Sequence, residues 1–182
     1  MTKTNLKISR KWAMPNLRTF QILPIQDLIK EYTSLSSDWL DLFPYPYQMD
    51  AMTLMNEIDS FSVSRVLFDP PYSPRQLKEC YDSLGLPLHN TTSNIWASWK
   101  DEIARIIRPG GICISFGWST NGIGKKRGFE IIEILLVAHG GNHNDTIAVV
   151  EKKCNKILPL AVNNKEDGLP PTQGVGIRPA IL

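Results

Sequence analysis

The chain has 182 residues, of which 42% are hydrophobic and 21% are charged, and its formal net charge is +2. These values are typical of one globular domain with a hydrophobic core, and they exclude a disordered or fibrous chain. No apolar run approaches the ~20 residues of a membrane-spanning helix, and three scattered cysteines without Cys-x-x-Cys spacing favour a reducing compartment. We therefore expect a cytoplasmic protein without a membrane partner.

The basic residues are unevenly placed. Residues 1–18 contain five lysines and arginines and no acid, and they are predicted to form a poorly structured basic arm. A second basic cluster, "GKKRG", lies at 124–128. Both clusters suit a phosphate-bearing partner, although a solvated positive surface explains each of them as well.

The first half of the chain contains two predicted helices and two predicted strands. Pro24 begins a helix over 23–32, and a short strand is expected at 38–43. Asp50 caps a second helix within 49–58. The β-rich run 63–68 predicts a buried strand that ends at Asp69.

The second half continues the alternation of strands and helices. Residues 73–97 are mostly irregular around one short helix, and a clear helix follows at 98–111, begun by Ser98 and ended by Pro109-Gly110-Gly111. Strands are predicted at 112–118, 129–139 and 145–153, the last two joined as a hairpin. Residues 1–156 are expected to form one domain, and 157–182 a flexible tail.

This order predicts an α/β sheet that is parallel through its first three strands and closes with an antiparallel hairpin. Ligands of such sheets bind beyond the carboxyl ends of the strands. Asp69 lies at one of these ends, and Gly117 and Trp118 lie at another. The sequence therefore places a site around these residues.

The stretch Asp69-Pro70-Pro71-Tyr72 has a chemical use at such a position. Two prolines cannot donate to a sheet ladder, so they hold a carbonyl oxygen rigid beside the Asp69 carboxylate. Together these acceptors can take both hydrogens of a planar exocyclic amine, and the Tyr72 ring offers a stacking face for an extruded base. A plain strand-ending turn is the alternative explanation of the same four residues.

Longer segments resemble a known family. "KWAMPN", "LFDPPYSPRQ", "ISFGW", "GIGKKRGFEI" and "EILLVAHGGNHNDTI" are similar to the small N6-adenine DNA methyltransferases of bacteriophages and integrative elements, over residues 9–153. The resemblance implies a class I methyltransferase-like (Rossmann-like) sheet, S-adenosylmethionine as cofactor and DNA as partner. It implies that Asp69 and Pro70 bind the target amine, with Pro71 completing the motif, and that Tyr72 stacks on the base.

The cofactor half departs from that family. The family binds S-adenosylmethionine with a glycine-rich loop, but this chain has no glycine before Gly85. Asp41, Phe43 and Asp50 are the candidate cofactor residues. Three alternatives stay open: weak cofactor binding through these residues, a second subunit that completes the pocket, or a methylase relative that only binds nucleic acid.

Several other residues are candidates for contact with DNA. Arg75 and Gln76 follow the Asp-Pro-Pro-Tyr stretch and can reach base edges or a phosphate, whereas solvation of a helix start is the alternative. Lys125, Lys126 and Arg127 can clamp phosphates. Residues 77–97 form the segment large enough to recognise a target sequence.

A metal site is not expected. His139, His143 and Asp145 lie on a predicted hairpin turn, and no further ligand is near them in the sequence. The reaction suggested by the Asp-Pro-Pro-Tyr stretch needs neither a metal nor a histidine relay.

Overall fold

A computed structural model describes residues 5–33, 39–43, 50–85, 94–141 and 143–155. The strands of these residues are β1 (Lys7–Trp12), β2 (Leu40–Asp41), β3 (Val63–Phe68), β4 (Ile107–Gly117), β5 (Phe129–Ala138) and β6 (Thr146–Lys153). The α-helices are α1 (Leu23–Glu31), α2 (Ala51–Asn56), α3 (Pro74–Leu84) and α4 (Ile95–Ile106), and short 3-10 turns lie at Thr19–Gln21 and Lys125–Arg127. Within these ranges no helix has the length and apolar character that crossing a membrane requires.

The strands form a single six-stranded sheet in the order β1-β5-β6-β4-β3-β2. Strands β2, β3 and β4 pair in parallel, as predicted, and β6 lies antiparallel between β4 and β5. The predicted architecture is confirmed: this is an α/β sheet, mostly parallel, with an antiparallel C-terminal hairpin. The carboxyl ends of β1 to β5 consequently meet at one edge of the sheet.

Helices cover both faces of this sheet. Neighbouring residues of β3 point to opposite sides, so Val66 and Phe68 pack beneath α2 and α4, whereas Leu67 packs with α1. Helix α4 contributes a buried stripe, whose members recur at helical spacing: Ile95, Trp99, Ile103 and Ile106. Two hydrophobic cores therefore hold β3 rigid from both sides.

The prediction of a poorly structured arm over residues 1–18 is wrong for residues 7–12. These residues form β1, which pairs in parallel with β5 from Lys7 opposite Glu133 to Trp12 opposite Ala138. The Lys7 ammonium lies 3.0 Å from the buried Glu133 carboxylate, which also accepts a hydrogen bond of 2.8 Å from Tyr32. An edge strand leaves most side chains in solvent, so its sequence lacks the apolar alternation that usually reveals a strand.

The boundary between α4 and β4 also differs from the prediction. The helix begins at Ile95 rather than Ser98 and passes directly into β4 at Ile107, so Pro109-Gly110-Gly111 belongs to the strand. Lys153 donates from the neighbouring strand to the carbonyl oxygens of Ala104 and Ile107, which supplies partners for the helix end. The end of α4 is therefore bonded by a lysine that is distant in sequence, and the glycines that were expected to end the helix lie in β4.

The remaining predicted elements of the first half of the chain are either confirmed or shorter than expected. The strand predicted at 38–43 is reduced to Leu40–Asp41, and α2 spans Ala51–Asn56 within the predicted 49–58. The helix predicted at 23–32 and the strand predicted at 63–68 are confirmed. The predicted tail, 157–182, lies outside the described residues.

Candidate active site

The Asp-Pro-Pro-Tyr turn lies at the carboxyl end of β3, in the interior of the sheet rather than at its margin. Pro70 is buried, and the carbonyl oxygen of Pro71 accepts a hydrogen bond of 3.0 Å from the indole nitrogen of Trp96. The backbone N–H of Tyr72 donates to the Gln76 side chain over 3.0 Å. Within the described part of the chain, no group donates to the carbonyl oxygen of Pro70. Trp96 and Gln76 therefore fix the backbone of the turn, while the Pro70 carbonyl oxygen accepts no hydrogen bond from the described residues.

Two hydroxyl groups lie close to the Asp69 carboxylate. Tyr72 donates to Oδ1 over 2.6 Å, and the Thr19 hydroxyl lies within hydrogen-bonding reach of both side chains. Burial raises the pKa of Asp69 above its ordinary value, although the bonds from Thr19 and Tyr72 oppose this shift. A carboxylate has about four acceptor positions, so Asp69 keeps capacity for a further donor.

Thr19 is a site residue that the sequence analysis missed. It belongs to the 3-10 turn between β1 and α1, and this segment crosses the carboxyl edge of the sheet to reach Asp69. Packing of the Phe20 ring on Phe116, with centroids 5.3 Å apart, fixes the turn in place. Fifty positions separate Thr19 from Asp69 in the chain, and no motif around Thr19 indicates that it lies near Asp69.

Two hollows flank the turn and meet at Pro70 and Tyr72, which line both. The first has a volume of about 330 Å³, and its other lining residues are Thr19, Phe43, Asp69, Pro71, Gln76 and Cys80. The second has a volume of about 230 Å³, and its other lining residues are Phe68, Trp96, Lys100, Ser115, Phe116, Gly117, Trp118, Ser119 and Gly122. The turn thus borders open space and is not sealed in packed core.

Two of the three candidate cofactor residues lie next to Asp69. Phe43 lines the first hollow, and its ring packs on Trp99 with centroids 4.9 Å apart. Asp41 ends β2, and its carboxylate accepts the backbone N–H of Phe43 over 3.0 Å. The pKa of Asp41 is raised by burial and, further, by the negative charge of Asp69. The two carboxyl groups therefore share one electrostatic environment.

The third candidate, Asp50, has a structural function. Its carboxylate caps α2 by accepting from the backbone N–H of Thr53 over 2.9 Å, and it also accepts from the Tyr81 hydroxyl over 2.5 Å. These bonds tie α2 to α3. A cofactor contact by Asp50 stays a prediction, as it does for Asp41 and Phe43.

The candidate DNA contacts separate into exposed and structural residues. Arg75 is exposed and pairs with Glu79 over 2.7 Å on the surface of α3, while Gln76 holds the backbone of Tyr72. Lys125 and Lys126 are exposed. Arg127 is instead tied down, and its guanidinium donates to the Asp101 carboxylate and to the carbonyl oxygens of Ile123 and Ala97. None of these arrangements tests DNA contact, which stays a prediction for all five residues.

Part of the segment predicted to recognise a target sequence, residues 86–93, lies outside the described residues. Its flanks are helical, since α3 extends to Leu84 and α4 begins at Ile95.

A buried glutamate holds the loop after β4. Glu151 on β6 is fully buried, and its carboxylate accepts the backbone N–H groups of Ile123 and Gly124, the latter over 2.9 Å. Gly122 packs so closely on this carboxylate that a Cβ atom would collide with it, and its φ of +50° also favours glycine. Because Gly122 lines the second hollow, Glu151 fixes one wall of that hollow.

Replacing Glu151 by glutamine is expected to cost about 1–3 kcal/mol of stability, because the amide NH₂ must face one of the two backbone N–H groups. Urea unfolding measures this cost, and hydrogen exchange at Ile123 and Gly124 should accelerate. Glu57→Gln, on an exposed glutamate at the end of α2, is the matched control and should change stability by less than about 0.5 kcal/mol. Equal stabilities of the two variants would contradict this role for Glu151.

The histidine on the hairpin serves the fold. His139 is buried, with Nδ1 2.9 Å from the carbonyl oxygen of Ala13 and Nε2 2.9 Å from the Thr146 hydroxyl. Asp145 accepts the backbone N–H of His139 over 3.1 Å. In the described ranges, His, Cys, Asp and Glu side chains form no group of three or more that could hold a metal ion.

Comparisons with known proteins give only weak structural likenesses. No family model matches this chain, and no curated protein matches it. Among solved structures, a protein from Thermus thermophilus named as a candidate DNA modification methylase aligns at 13% identity and a TM-score of 0.37, over 74% of this chain and 55% of that one. The 4+2 cyclase SpnF aligns at 12% identity and a TM-score of 0.32, over 82% of this chain and 74% of that one. The chain therefore spans about half of the first structure, and neither likeness bears on the activity.

Proposed function

We propose that this protein transfers a methyl group from S-adenosylmethionine to the N6 amino group of adenine in DNA. The observation that carries the proposal is the turn at the end of β3, where Asp69 lines one open hollow and Pro70 lines both. The proposal is supported further by the resemblance of residues 9–153 to the phage-type N6-adenine methyltransferases.

The chemistry of the turn follows from the electronic structure of an exocyclic amine. The nitrogen lone pair is delocalised into the purine ring, so the amine is planar and a poor nucleophile. Hydrogen bonds from its two hydrogens to the Asp69 carboxylate and the Pro70 carbonyl favour a tetrahedral nitrogen with a localised lone pair. That lone pair would bond to the methyl carbon while the carbon–sulfur bond of the donor breaks and leaves a neutral thioether, and the nitrogen would then release one proton to the Asp69 carboxylate or to solvent.

Tyr72 combines two functions in this arrangement. Its hydroxyl donates to Asp69 over 2.6 Å, which fixes the carboxylate, while its ring lines both hollows. A base stacked on that ring gains about 1–3 kcal/mol, which offsets part of the cost of extruding it from a duplex.

The chemistry of the first hollow fits a cationic methyl donor. Asp69 lines it with the aromatic ring of Phe43, and the Asp41 carboxylate lies close to Asp69. Negative charge beside an aromatic ring suits a sulfonium cation, and S-adenosylmethionine would supply the electrophilic methyl group there. Asp41, Phe43 and Asp69 are the residues that would hold this end of the cofactor.

A second candidate function is supported by the cofactor half of the chain. There is no glycine before Gly85, and the Asp50 carboxylate is engaged in capping α2. A protein that binds nucleic acid without methylating it, or one that needs a second subunit to complete the pocket, would have these features.

One experiment separates the two functions. The purified protein is titrated with S-adenosylmethionine by calorimetry and incubated with unmethylated DNA, which is then digested to nucleosides. N6-methyladenine in the digest is the expected result, and parallel RNA and single-stranded DNA samples define the substrate. Salt-sensitive DNA binding without cofactor binding or modified adenine would reject the methyltransferase and support the second function.

The activity should fall on the acid side of the pH profile at a higher pH than an exposed aspartate would give. Asp69 must be ionised to accept amine hydrogens, and burial raises its pKa above the ordinary 3.8. A group whose folded pKa is raised binds protons more readily in the folded state, so acidification through this pKa does not unfold the protein through Asp69. The rate of methyl transfer is measured over a range of pH, and circular dichroism over the same range shows whether the protein stays folded. A rate that stays flat down to pH ~4 would contradict the assignment.

A further inference from the structure

Lys100 is a cation at the site that the proposed chemistry does not use. It lies on α4, is partly buried and lines the second hollow together with Pro70 and Tyr72. Among the described residues, none forms a hydrogen bond or an ion pair with its ammonium group. A lysine in such a position is usually paired, because burial without a partner is costly.

Among the residues that the structure describes, the charged groups around Lys100 are engaged with other partners. Glu151 and Arg127 are the charged side chains that act on it from neighbouring elements. The Glu151 carboxylate is committed to the backbone of Ile123 and Gly124, and the Arg127 guanidinium is bound to Asp101. Burial is the largest cause that lowers the pKa of Lys100, and the Arg127 charge adds to it.

The two hollows differ in electrostatic character. Asp69 is the charged residue among those that line the first, whereas Lys100 is the charged residue among those that line the second. Aromatic rings form much of the second wall, namely Phe68, Tyr72, Trp96, Phe116 and Trp118. Trp118 stays 50% exposed at its mouth, with its ring centroid 5.2 Å from that of Tyr72.

We infer that the second hollow receives the extruded adenine and that the Lys100 ammonium donates a hydrogen bond to a ring nitrogen of that base. This inference rests on the proposed function. The five aromatic side chains among its lining residues suit a flat heterocycle, which can stack on them, and the Lys100 ammonium supplies a charged donor for an acceptor nitrogen of that ring. The amine of a base held there points to the junction of the hollows at Pro70, with the Asp69 carboxylate on the other side.

The test is a double-mutant cycle between Lys100 and the base. The wild type and Lys100→Met are compared on DNA in which the target adenine is replaced by its 1-deaza, 3-deaza or 7-deaza analogue. One analogue should lower kcat/KM of the wild type by roughly 10- to 100-fold, and Lys100→Met should cause a similar loss on normal DNA. That variant should show no further loss on the same analogue.

A second readout does not depend on methyl transfer. Binding of short single-stranded oligonucleotides with one adenine or one deaza analogue is measured by fluorescence anisotropy, and the same non-additive pattern is expected. Lys30→Met, on an exposed lysine of α1, is the matched control and should retain the response to the analogue. Circular dichroism confirms that each variant is folded.

The outcomes separate the inference from the proposed function. A wild type that produces no N6-methyladenine rejects the proposed function, while a Lys100-dependent response in the binding series would still support the base pocket. The assignment of Lys100 to a ring nitrogen would be overturned if the loss caused by Lys100→Met and the loss caused by the analogue are additive for all three analogues, in every series that can be measured. A Lys100→Met protein whose kcat/KM and oligonucleotide binding equal those of the wild type would overturn this assignment as well.

Discussion

Replacing Asp69 by alanine is expected to reduce methyl transfer to DNA by about 10²- to 10⁴-fold or more, while the protein remains folded. The substitution removes the carboxylate that accepts one amine hydrogen, and the Pro70 carbonyl oxygen alone cannot favour a tetrahedral nitrogen. It also leaves the Tyr72 hydroxyl without its 2.6 Å partner, so the stacking ring loses a constraint. The rate is measured as radioactive methyl incorporated into DNA at saturating S-adenosylmethionine.

The fold should tolerate this substitution. Burial raises the pKa of Asp69, which means that its ionised form destabilises the folded state at neutral pH. Removing the charge relieves this cost and offsets the lost hydrogen bonds, so the free energy of unfolding should change by no more than about 1–2 kcal/mol.

Two further variants make the Asp69 result specific. Asp69→Asn keeps one acceptor oxygen and should retain more activity than Asp69→Ala. Asp27→Asn, on an exposed residue of α1 that pairs with Lys30, should leave the rate unchanged. Methyl transfer by purified Asp69→Ala at the wild-type rate would remove Asp69 from the mechanism.

The largest loss of stability is expected for Trp99→Ala, at about 3–5 kcal/mol. Trp99 on α4 is fully buried, and its ring centroid lies 4.9 Å from that of Phe43, 5.9 Å from that of Trp96 and 6.4 Å from that of Phe68. Truncation removes the centre of this aromatic cluster and leaves a cavity. Because domains of this size are stable by roughly 5–15 kcal/mol, urea unfolding should show a much lower midpoint.

Trp99→Phe should cost clearly less than Trp99→Ala. The indole nitrogen of Trp99 is buried without a hydrogen-bond partner among the described residues, so losing it removes an unfavourable group. Trp12→Ala, on a tryptophan that is 65% exposed at the sheet edge, should change stability by less than about 0.5 kcal/mol. Similar costs for Trp99→Phe and Trp99→Ala would show that ring volume is not what the core requires.

Trp99 also connects the core with the candidate site. Its neighbour Trp96 donates to the Pro71 carbonyl, and its neighbour Phe43 lines the first hollow beside Asp69. Partial loosening of the cluster in Trp99→Phe should therefore lower kcat/KM even where the protein is fully folded.

Local sequence patterns were sufficient for the elements around the Asp-Pro-Pro-Tyr turn. The apolar run 63–68 ends at a proline pair, and the structure has β3 over Val63–Phe68 with the turn directly after it. Pro24 marks the start of α1, and the hairpin of β5 and β6 shows in its β-rich strands and polar turn. These features depend on backbone restrictions and side-chain periodicity within a few residues, so they are readable from the chain alone.

Contacts between distant parts of the chain decided the rest. Thr19 lies near Asp69 because β1 pairs at the far edge of the sheet and the chain that follows β1 crosses the carboxyl edge of the sheet. Lys100 lines the second hollow because α4 packs against β3. Asp50 and Arg127 were predicted as ligand contacts. In the structure Asp50 accepts a hydrogen bond from Tyr81, and Arg127 donates one to Asp101. Charged and hydroxyl side chains look alike in a sequence whether they face a ligand or another side chain. Only the packing of the elements determines which partner each one meets.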